Sequence, residues 1–122
     1  GSPAMNFIGA RLTEGGAAAA IAQGGPVIRF VDGARPGGEG RAVTLGIRPE
    51  HLLVGGPGAL PFTLDLAEPL GSETVLHGRL ADGTEITARI AGGVPGDGLR
   101  LAPDLTALHV FDATSGRRLD PA

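Results

Sequence analysis

The stretch that decides the fold is Leu60-Pro61-Phe62-Thr63-Leu64-Asp65-Leu66. Its apolar residues alternate with Pro61, Thr63 and Asp65, and a period of two residues is typical of a β-strand with one buried and one wet face. The pattern predicts that Leu66 shares the buried face with Leu60. Nothing in the chain resembles a strand-helix-strand crossover.

The rest of the chain also has β character. Asp82-Gly83 separates two strand-like runs, and Asp-Gly is a strong signal for a two-residue hairpin turn. Residues 103–105 are predicted to form a single helical turn, and His109 and Phe111 are predicted to lie on opposite faces of a final strand. Further strands are expected over 7–12, 17–22, 26–31, 42–47, 52–54, 74–80, 84–90, 99–101 and 108–111.

Glycine and proline limit the length of every element. The 122 residues include 22 glycines and 10 prolines, which interrupt the chain too often for long helices. The sequence therefore predicts an all-β fold, a small barrel or sandwich of about eight to ten short strands with at most a single helical turn.

Composition excludes several function classes. A net charge of −3 with interspersed signs gives no positive field for a polyanion, and four Phe with no Trp or Tyr offer little surface for stacking bases, so nucleic acid is not expected as a partner. The chain contains no lysine, which rules out a phosphate-loop lysine, and no cysteine, which rules out disulfides and thiolate chemistry. No run approaches the ~20 apolar residues of a membrane helix, so direct membrane insertion is not expected.

Two charged turns are the candidate functional residues. In the first, Pro49 fixes its own φ and pushes Arg48 toward extended geometry. Each turn is interpreted as a structural corner or as the edge of an interface, with its charges in ion pairs or on backbone amides. The residues concerned are Arg48, Pro49, Glu50 and His51 in the first turn, and Glu68, Pro69, Leu70, Gly71, Ser72 and Glu73 in the second.

Catalytic and metal-binding patterns are missing from the sequence. His51, His77 and His109 are scattered, and no spacing places two ligands on one element. His77 is expected on a solvated or partly covered face, and His109 is expected to be packed with a backbone partner. Ser72 lacks the second glycine of a nucleophile elbow. No catalytic, cofactor-binding or metal-binding residue is predicted.

Three strings, in order, carry a resemblance to a known family. They are Ser-Pro-Ala-Met-Asn-Phe at 2–7, Leu-Gly-Ile-Arg-Pro-Glu-His at 45–51 and Glu-Pro-Leu-Gly-Ser-Glu-Thr at 68–74. Together with the ending from 108–112 to 116–119, they resemble the C-terminal regulatory region of the ATP-binding subunits of ABC importers. The chain is most similar to the maltose and glycerol-3-phosphate branch of that family.

The resemblance implies a TOBE or MOP-like, OB-fold-like β domain over 7–119, with a connector from a missing ATPase domain at 1–6 and a tail at 120–122. ATP and Mg²⁺ would belong to that missing domain, because the family's nucleotide-binding motifs are absent, and this part would not be an enzyme. The expected partners are a second copy, the ATPase domain in cis and, indirectly, the membrane subunits. The expected place is the cytoplasm, at the inner face of the cell membrane.

The resemblance implies a non-catalytic regulatory and dimerisation role in the uptake of a sugar or glycerol-3-phosphate. An alternative is a domain that senses a small ligand or oxyanion, as in related molybdate-binding domains. In that case Ser72, Thr74 and the nearby glycines would donate hydrogen bonds to the anion. The sequence does not contain the Ser-Ala-Arg-Asn type of string found in the molybdate binders.

Overall fold

The computed structural model describes residues 4–22, 25–31, 33–56, 58–94, 96 and 98–120. These residues form ten β-strands and two single-turn 3-10 helices, which confirms the predicted all-β fold. The 3-10 helices are Glu14–Gly16 and Pro49–His51. The strands are β1 (Asn6–Thr13), β2 (Ala18–Ala20), β3 (Val27–Arg29), β4 (Ala42–Ile47), β5 (Leu52–Val54), β6 (Leu60–Pro69), β7 (Glu73–Leu80), β8 (Glu85–Ala91), β9 (Arg100–Pro103) and β10 (His109–Asp112).

The described residues divide into two compact units. The first, called the barrel unit, contains 4–6 and 47–104, and its five strands lie in the order β5-β9-β6-β7-β8. The second, called the sheet unit, contains 7–46 and 105–120, and its strands lie in the order β10-β4-β1-β2-β3.

The barrel unit is built on the long antiparallel hairpin of β6 and β7, to which β8 adds a third antiparallel strand. The two edge strands, β5 and β8, contact each other, so the five strands nearly close into a barrel. Alternate residues of each strand point inward, and the inward residues are apolar. Its buried residues include Leu52, Leu60, Phe62, Leu76, Leu80, Ile86, Ala88 and Leu101.

A β-bulge at Asp65 changes which face β6 buries. Leu64 lies opposite Gly78 and Leu66 lies opposite His77, so Asp65 is an extra residue in β6. An extra residue shifts the alternation by one position beyond the bulge. Leu60 and Phe62 are buried as predicted, but the prediction for Leu66 was wrong, because its side chain is 57% exposed.

Two local predictions in the barrel unit need correction, because the predicted hairpin at Asp82-Gly83 is formed but not with a two-residue loop, and a predicted helical turn is replaced by a strand. The hairpin at 82–83 has a three-residue loop, because the N–H of Leu80 donates to the carbonyl of Thr84 and Gly83, at φ +89°, donates to the carbonyl of Leu80. The predicted helical turn at 103–105 is not formed. Pro103 instead ends β9, opposite Leu52. At this position the ladder does not use the residue's N–H, so a proline costs no hydrogen bond.

In the sheet unit, the alanine run forms the strand that its position between two glycine pairs predicts, since Ala18 lies opposite Thr13 in β1. The prediction for the final strand was wrong. His109 and Phe111 lie on the same face of β10, with ring centroids 6.4 Å apart, as any residues i and i+2 of a strand do. The buried residues of this unit include Ile8, Leu12, Ala18, Ala19, Ile28, Val43, Leu45 and Val110.

The boundaries expected at 6 and 120 stay predictions. Asn6, placed in the connector by the sequence, is the first residue of β1. Asp120, placed in the tail, accepts a hydrogen bond from the N–H of Val110 at 2.8 Å. Residues 1–3, 121 and 122 of the predicted connector and tail lie outside the described residues.

Candidate functional site

The first charged turn is a backbone corner. Arg48 has φ −74° and ψ 150°, the extended geometry that the following proline favours, and Pro49 is buried as the first residue of the 3-10 helix. The N–H of His51 donates to the carbonyl of Arg48 at 3.0 Å, and the carbonyl of His51 accepts from Asp104 at 2.9 Å. These bonds determine the direction in which the chain enters β5.

The polar side chains of this corner have few partners. Arg48 and Glu50 are exposed, and among the described residues the side chain of neither makes a hydrogen bond or an ion pair. The Nδ1 atom of His51 is buried and has no hydrogen-bond partner within the described part of the chain. A buried polar atom of this kind is uncommon in folded proteins and calls for an explanation.

The second charged turn is the tip of a hairpin. Its outer residues belong to strands, with Glu68 and Pro69 in β6 and Glu73 in β7, so the turn itself is 70–72. The N–H of Leu70 donates to the carbonyl of Glu73 at 2.7 Å, and Gly71 takes φ +79°, which favours glycine. The tip is exposed, and the side chain of Leu70 is 51% exposed.

The hydroxyl of Thr74 already has a partner within the chain. It is buried and donates to the carbonyl of Gly92 at 2.6 Å, while the N–H of Gly92 donates to the carbonyl of Ser72 at 2.8 Å. Thr74, which the oxyanion alternative would use as a donor, therefore helps to link the hairpin tip to the end of β8.

Charged pairs cover the outer face of β6, β7 and β8. The His77 Nε2 atom lies 2.5 Å from the Glu68 carboxylate, and Arg79 donates two bonds to Asp65 at 2.9 and 3.0 Å. Hydrogen bonding to Arg79 lowers the pKa of Asp65. These groups are about half exposed, so solvent screens the pairs and they contribute little to stability. These ion pairs therefore fix the positions of the charged side chains on this face more than they stabilise the fold.

Residues of both charged turns contact β8. The 3-10 helix Pro49–His51 packs on β8, and Arg89 of β8 forms an ion pair with Glu73. Glu50 and Arg89 also line a shared groove of about 430 Å³. Arg89, a residue that the sequence did not single out, thus pairs with one predicted stretch and lines a groove with the other.

Asn6 is the polar residue that sequence reasoning missed. Its side chain is buried, its Oδ1 accepts from the N–H of Thr87 at 2.9 Å, and its Nδ2 donates to the carbonyls of Thr87 at 2.8 Å and Ile47 at 3.1 Å. The available signal was weak: Asn6 is the chain's single asparagine and stands at the start of an alternating apolar run.

The histidines do not converge within the described residues, where no group of three His, Cys, Asp or Glu side chains is placed to hold a metal ion. His77 lies on the partly covered face that was predicted for it. For His109 the partner shown among the described residues is a side chain and not the predicted backbone group, since its Nδ1 atom lies 3.0 Å from the carboxylate of Asp120. Burial raises the pKa of Asp120, but hydrogen bonds from Arg118, the Val110 N–H and His109 outweigh it and lower the pKa to about 2.

None of the helices in the described part of the chain is long and apolar enough to cross a membrane.

Comparison with protein families identifies the fold. Residues 1–52 match the MalK OB fold domain, and residues 45–111 match the TOBE domain. The chain belongs to the TOBE domain family. The TOBE match contains both charged turns and strands β5 to β9 with parts of β4 and β10, so it includes nearly all of the barrel unit.

Three relatives of this TOBE chain are named as import or transport ATP-binding proteins. The sn-glycerol-3-phosphate import ATP-binding protein of Cereibacter sphaeroides is 45% identical over 98% of the chain and 33% of its own length. The protein of the same name from Chromobacterium violaceum is 38% identical over 100% of the chain and 34% of its own length. The sulfoquinovosyl glycerol transport ATP-binding protein of Agrobacterium fabrum is 36% identical over 98% of the chain and 34% of its own length.

The TOBE chain therefore spans about a third of the length of the curated relatives it matches. The resemblance seen in the sequence is confirmed at the level of the family.

Proposed function

We propose that this chain is the regulatory and dimerisation domain of the ATP-binding subunit of an ABC importer for glycerol-3-phosphate or a related sugar compound. The relatives named for that activity support the proposal, because nearly the whole chain aligns with a third of their length. In this proposal the chain carries out no chemical step. ATP and Mg²⁺ bind to an ATPase domain elsewhere in the same polypeptide.

The observation that favours self-association is the apolar surface at the end of the β6–β7 hairpin. Leu66 and Leu70 are 57% and 51% exposed and lie near the Glu68–His77 pair. Large apolar side chains ringed by charged pairs are typical of an interface that buries a small apolar centre within a polar rim. The bulge at Asp65 turns Leu66 outward and so adds to this surface.

The sequence left open whether each charged turn is a structural corner or the edge of an interface. In this proposal each turn has one of these two roles. The turn at Pro49 acts as the structural corner, because Pro49 is buried and the backbone bonds of Arg48 and His51 lie within the fold. The turn at 70–72 acts as the interface with a second copy. The ATPase domain and, indirectly, the membrane subunits are further partners, and the assembly lies at the cytoplasmic face of the membrane.

Sedimentation velocity across a hundredfold range of concentration tests the self-association. We expect the sedimentation coefficient of the 122-residue chain to rise with concentration, and Leu70→Glu to weaken the association at least tenfold, because it places a charge in the apolar centre. The matched control is Val31→Glu, which adds the same charge at a side chain that is 46% exposed in the sheet unit. Strictly monomeric behaviour of both this chain and the longer subunit would exclude the dimerisation role.

A further inference from the structure

A cavity of about 490 Å³ lies in the sheet unit, between the two edges of its five-stranded sheet. One side is formed by the chain that follows edge strand β3, over residues 30–36. The other side is formed by edge strand β10 and by residues on either side of it. The volume lies within the range of ~300–1,000 Å³ that is typical of small-molecule sites.

Apolar side chains form both the depth and the opening of this cavity. Leu108 and Val110 are buried at 8% and 3% exposure, so they line its depth. Val31 and Leu105, which come from its two opposite sides, are 46% and 38% exposed and so lie at its opening. Large apolar side chains that are exposed together around a concave site indicate a binding site, whereas scattered ones do not.

Backbone hydrogen bonds hold both sides of the cavity in place. On the first side, the N–H of Ala34 donates to the carbonyl of Val31 at 3.0 Å and closes a turn. On the second side, the N–H of Leu119 donates to the carbonyl of Val110 at 2.7 Å, which fixes the chain after β10 along the edge of that strand. The cavity is therefore formed before any ligand binds, and a ligand has little of the chain to order.

Asp120 selects the polar group of the occupant. Of the described lining residues it alone is charged, and its side chain is 16% exposed. Its Oδ1 atom accepts from the N–H of Val110 at 2.8 Å, while the His109 Nδ1 and Arg118 Nη2 atoms each lie 3.0 Å from its Oδ2 atom. A carboxylate has about four acceptor positions, so Oδ1 has one left for a further donor. Because Arg118 already offsets the negative charge, that position suits an uncharged hydroxyl or N–H group.

We propose that this cavity binds a small, uncharged, apolar molecule that carries one hydrogen-bond donor. The apolar body packs on Leu108 and Val110, and the donor bonds to Oδ1 of Asp120. An apolar cavity with a few placed polar groups is the usual form of a small-molecule site, in which the polar groups fix the orientation of the ligand. The proposal does not depend on self-association, which uses side chains of the barrel unit.

Indole and benzofuran are the probes that test the proposal, because they have nearly the same shape and only indole carries an N–H donor. We expect indole, added to the ¹⁵N-labelled 122-residue chain, to shift the amide signals of Ala34 and Leu108. Benzofuran should bind at least roughly tenfold more weakly, since it cannot donate to the carboxylate of Asp120. Equal affinity of the two probes would overturn the proposal. Tighter binding of tryptamine, a cationic derivative of indole, would also overturn it, because charge would then select the occupant.

Variants of the chain locate the site. Leu105→Glu places a charge at the opening of the cavity and leaves the buried core intact, and it should weaken indole binding about tenfold. Val31→Glu, on the opposite side of the opening, should have the same effect. The matched control is Leu53→Glu, which adds the same charge at a leucine that is 54% exposed in the barrel unit and should leave indole binding unchanged. Unchanged binding in both Leu105→Glu and Val31→Glu, or indole-induced shifts confined to residues outside the cavity, would refute this location.

Discussion

Asn6→Ala is the substitution with the largest predicted effect that leaves the apolar core untouched. It removes three hydrogen bonds and leaves the N–H and carbonyl of Thr87 and the carbonyl of Ile47 without protein partners. Each such bond contributes about 1 kcal/mol net, and a buried group left unpaired costs about 1–3 kcal/mol. Because water reaches half-buried Thr87 more easily than Ile47, we expect a loss of about 2–4 kcal/mol, a large part of the ~5–15 kcal/mol typical of a folded domain.

Urea unfolding followed by far-ultraviolet circular dichroism measures this loss, since the chain has neither Trp nor Tyr to report by fluorescence. Hydrogen exchange gives the local signature, because the amide of Thr87 should lose its protection in Asn6→Ala. Asn6→Asp should be at least as destabilising, since its carboxylate faces two carbonyl oxygens. The control Thr63→Ala, at an exposed residue, should change stability by less than about 0.5 kcal/mol. A loss below about 0.5 kcal/mol in Asn6→Ala, with unchanged exchange at Thr87, would refute the role of Asn6.

Two further predictions concern the sheet unit in acid and the packing of β7. Hydrogen bonds from the Ser115 N–H, the Ser115 hydroxyl and Arg41 lower the pKa of Asp112 from 3.8 to about 2. The stability this gives is present above about pH 4 and is lost as the pH falls toward 2, so Asp112→Asn should flatten the fall of the urea midpoint over that range. Gly78→Ala would place its Cβ 2.1 Å from the Thr63 carbonyl oxygen and 2.5 Å from the Phe62 ring, and should cost about 1–3 kcal/mol in urea unfolding. Gly93→Ala, which meets nothing within 4 Å, is its control, and an equal loss in both would contradict the packing explanation.

Most of the β-strands were predictable because local signals specify them. The alternation from Leu60 to Phe62, the β-branched run around Ile28 and the strand before Pro49 all appear where the sequence placed them. The charged turn at Pro49 was also predictable, since proline restricts the backbone of its own residue and of Arg48. These constraints act within a few residues and do not require the rest of the fold.

The errors occurred where two distant segments decide the outcome. The bulge at Asp65 depends on how β6 is registered against β7, and a single extra residue turns Leu66 outward although its own sequence pattern continues unbroken. Pro103 is part of a strand because β5 lies beside it, whereas its local sequence is compatible with a helical turn. Propensity is a weak signal when tertiary pairing competes with it.

The sequence by itself determined the strand composition, the corner at Pro49 and, through three short strings, the membership in the TOBE family. It could not specify the hydrogen bonds between Asn6 and β8, because Asn6 and Thr87 are 81 residues apart. Backbone amides have the same chemistry at every position, so only the tertiary structure decides which are paired and which remain free. The tertiary structure pairs Thr87 with Asn6, and it places Arg89 in an ion pair with one charged turn and in the same groove as Glu50 of the other.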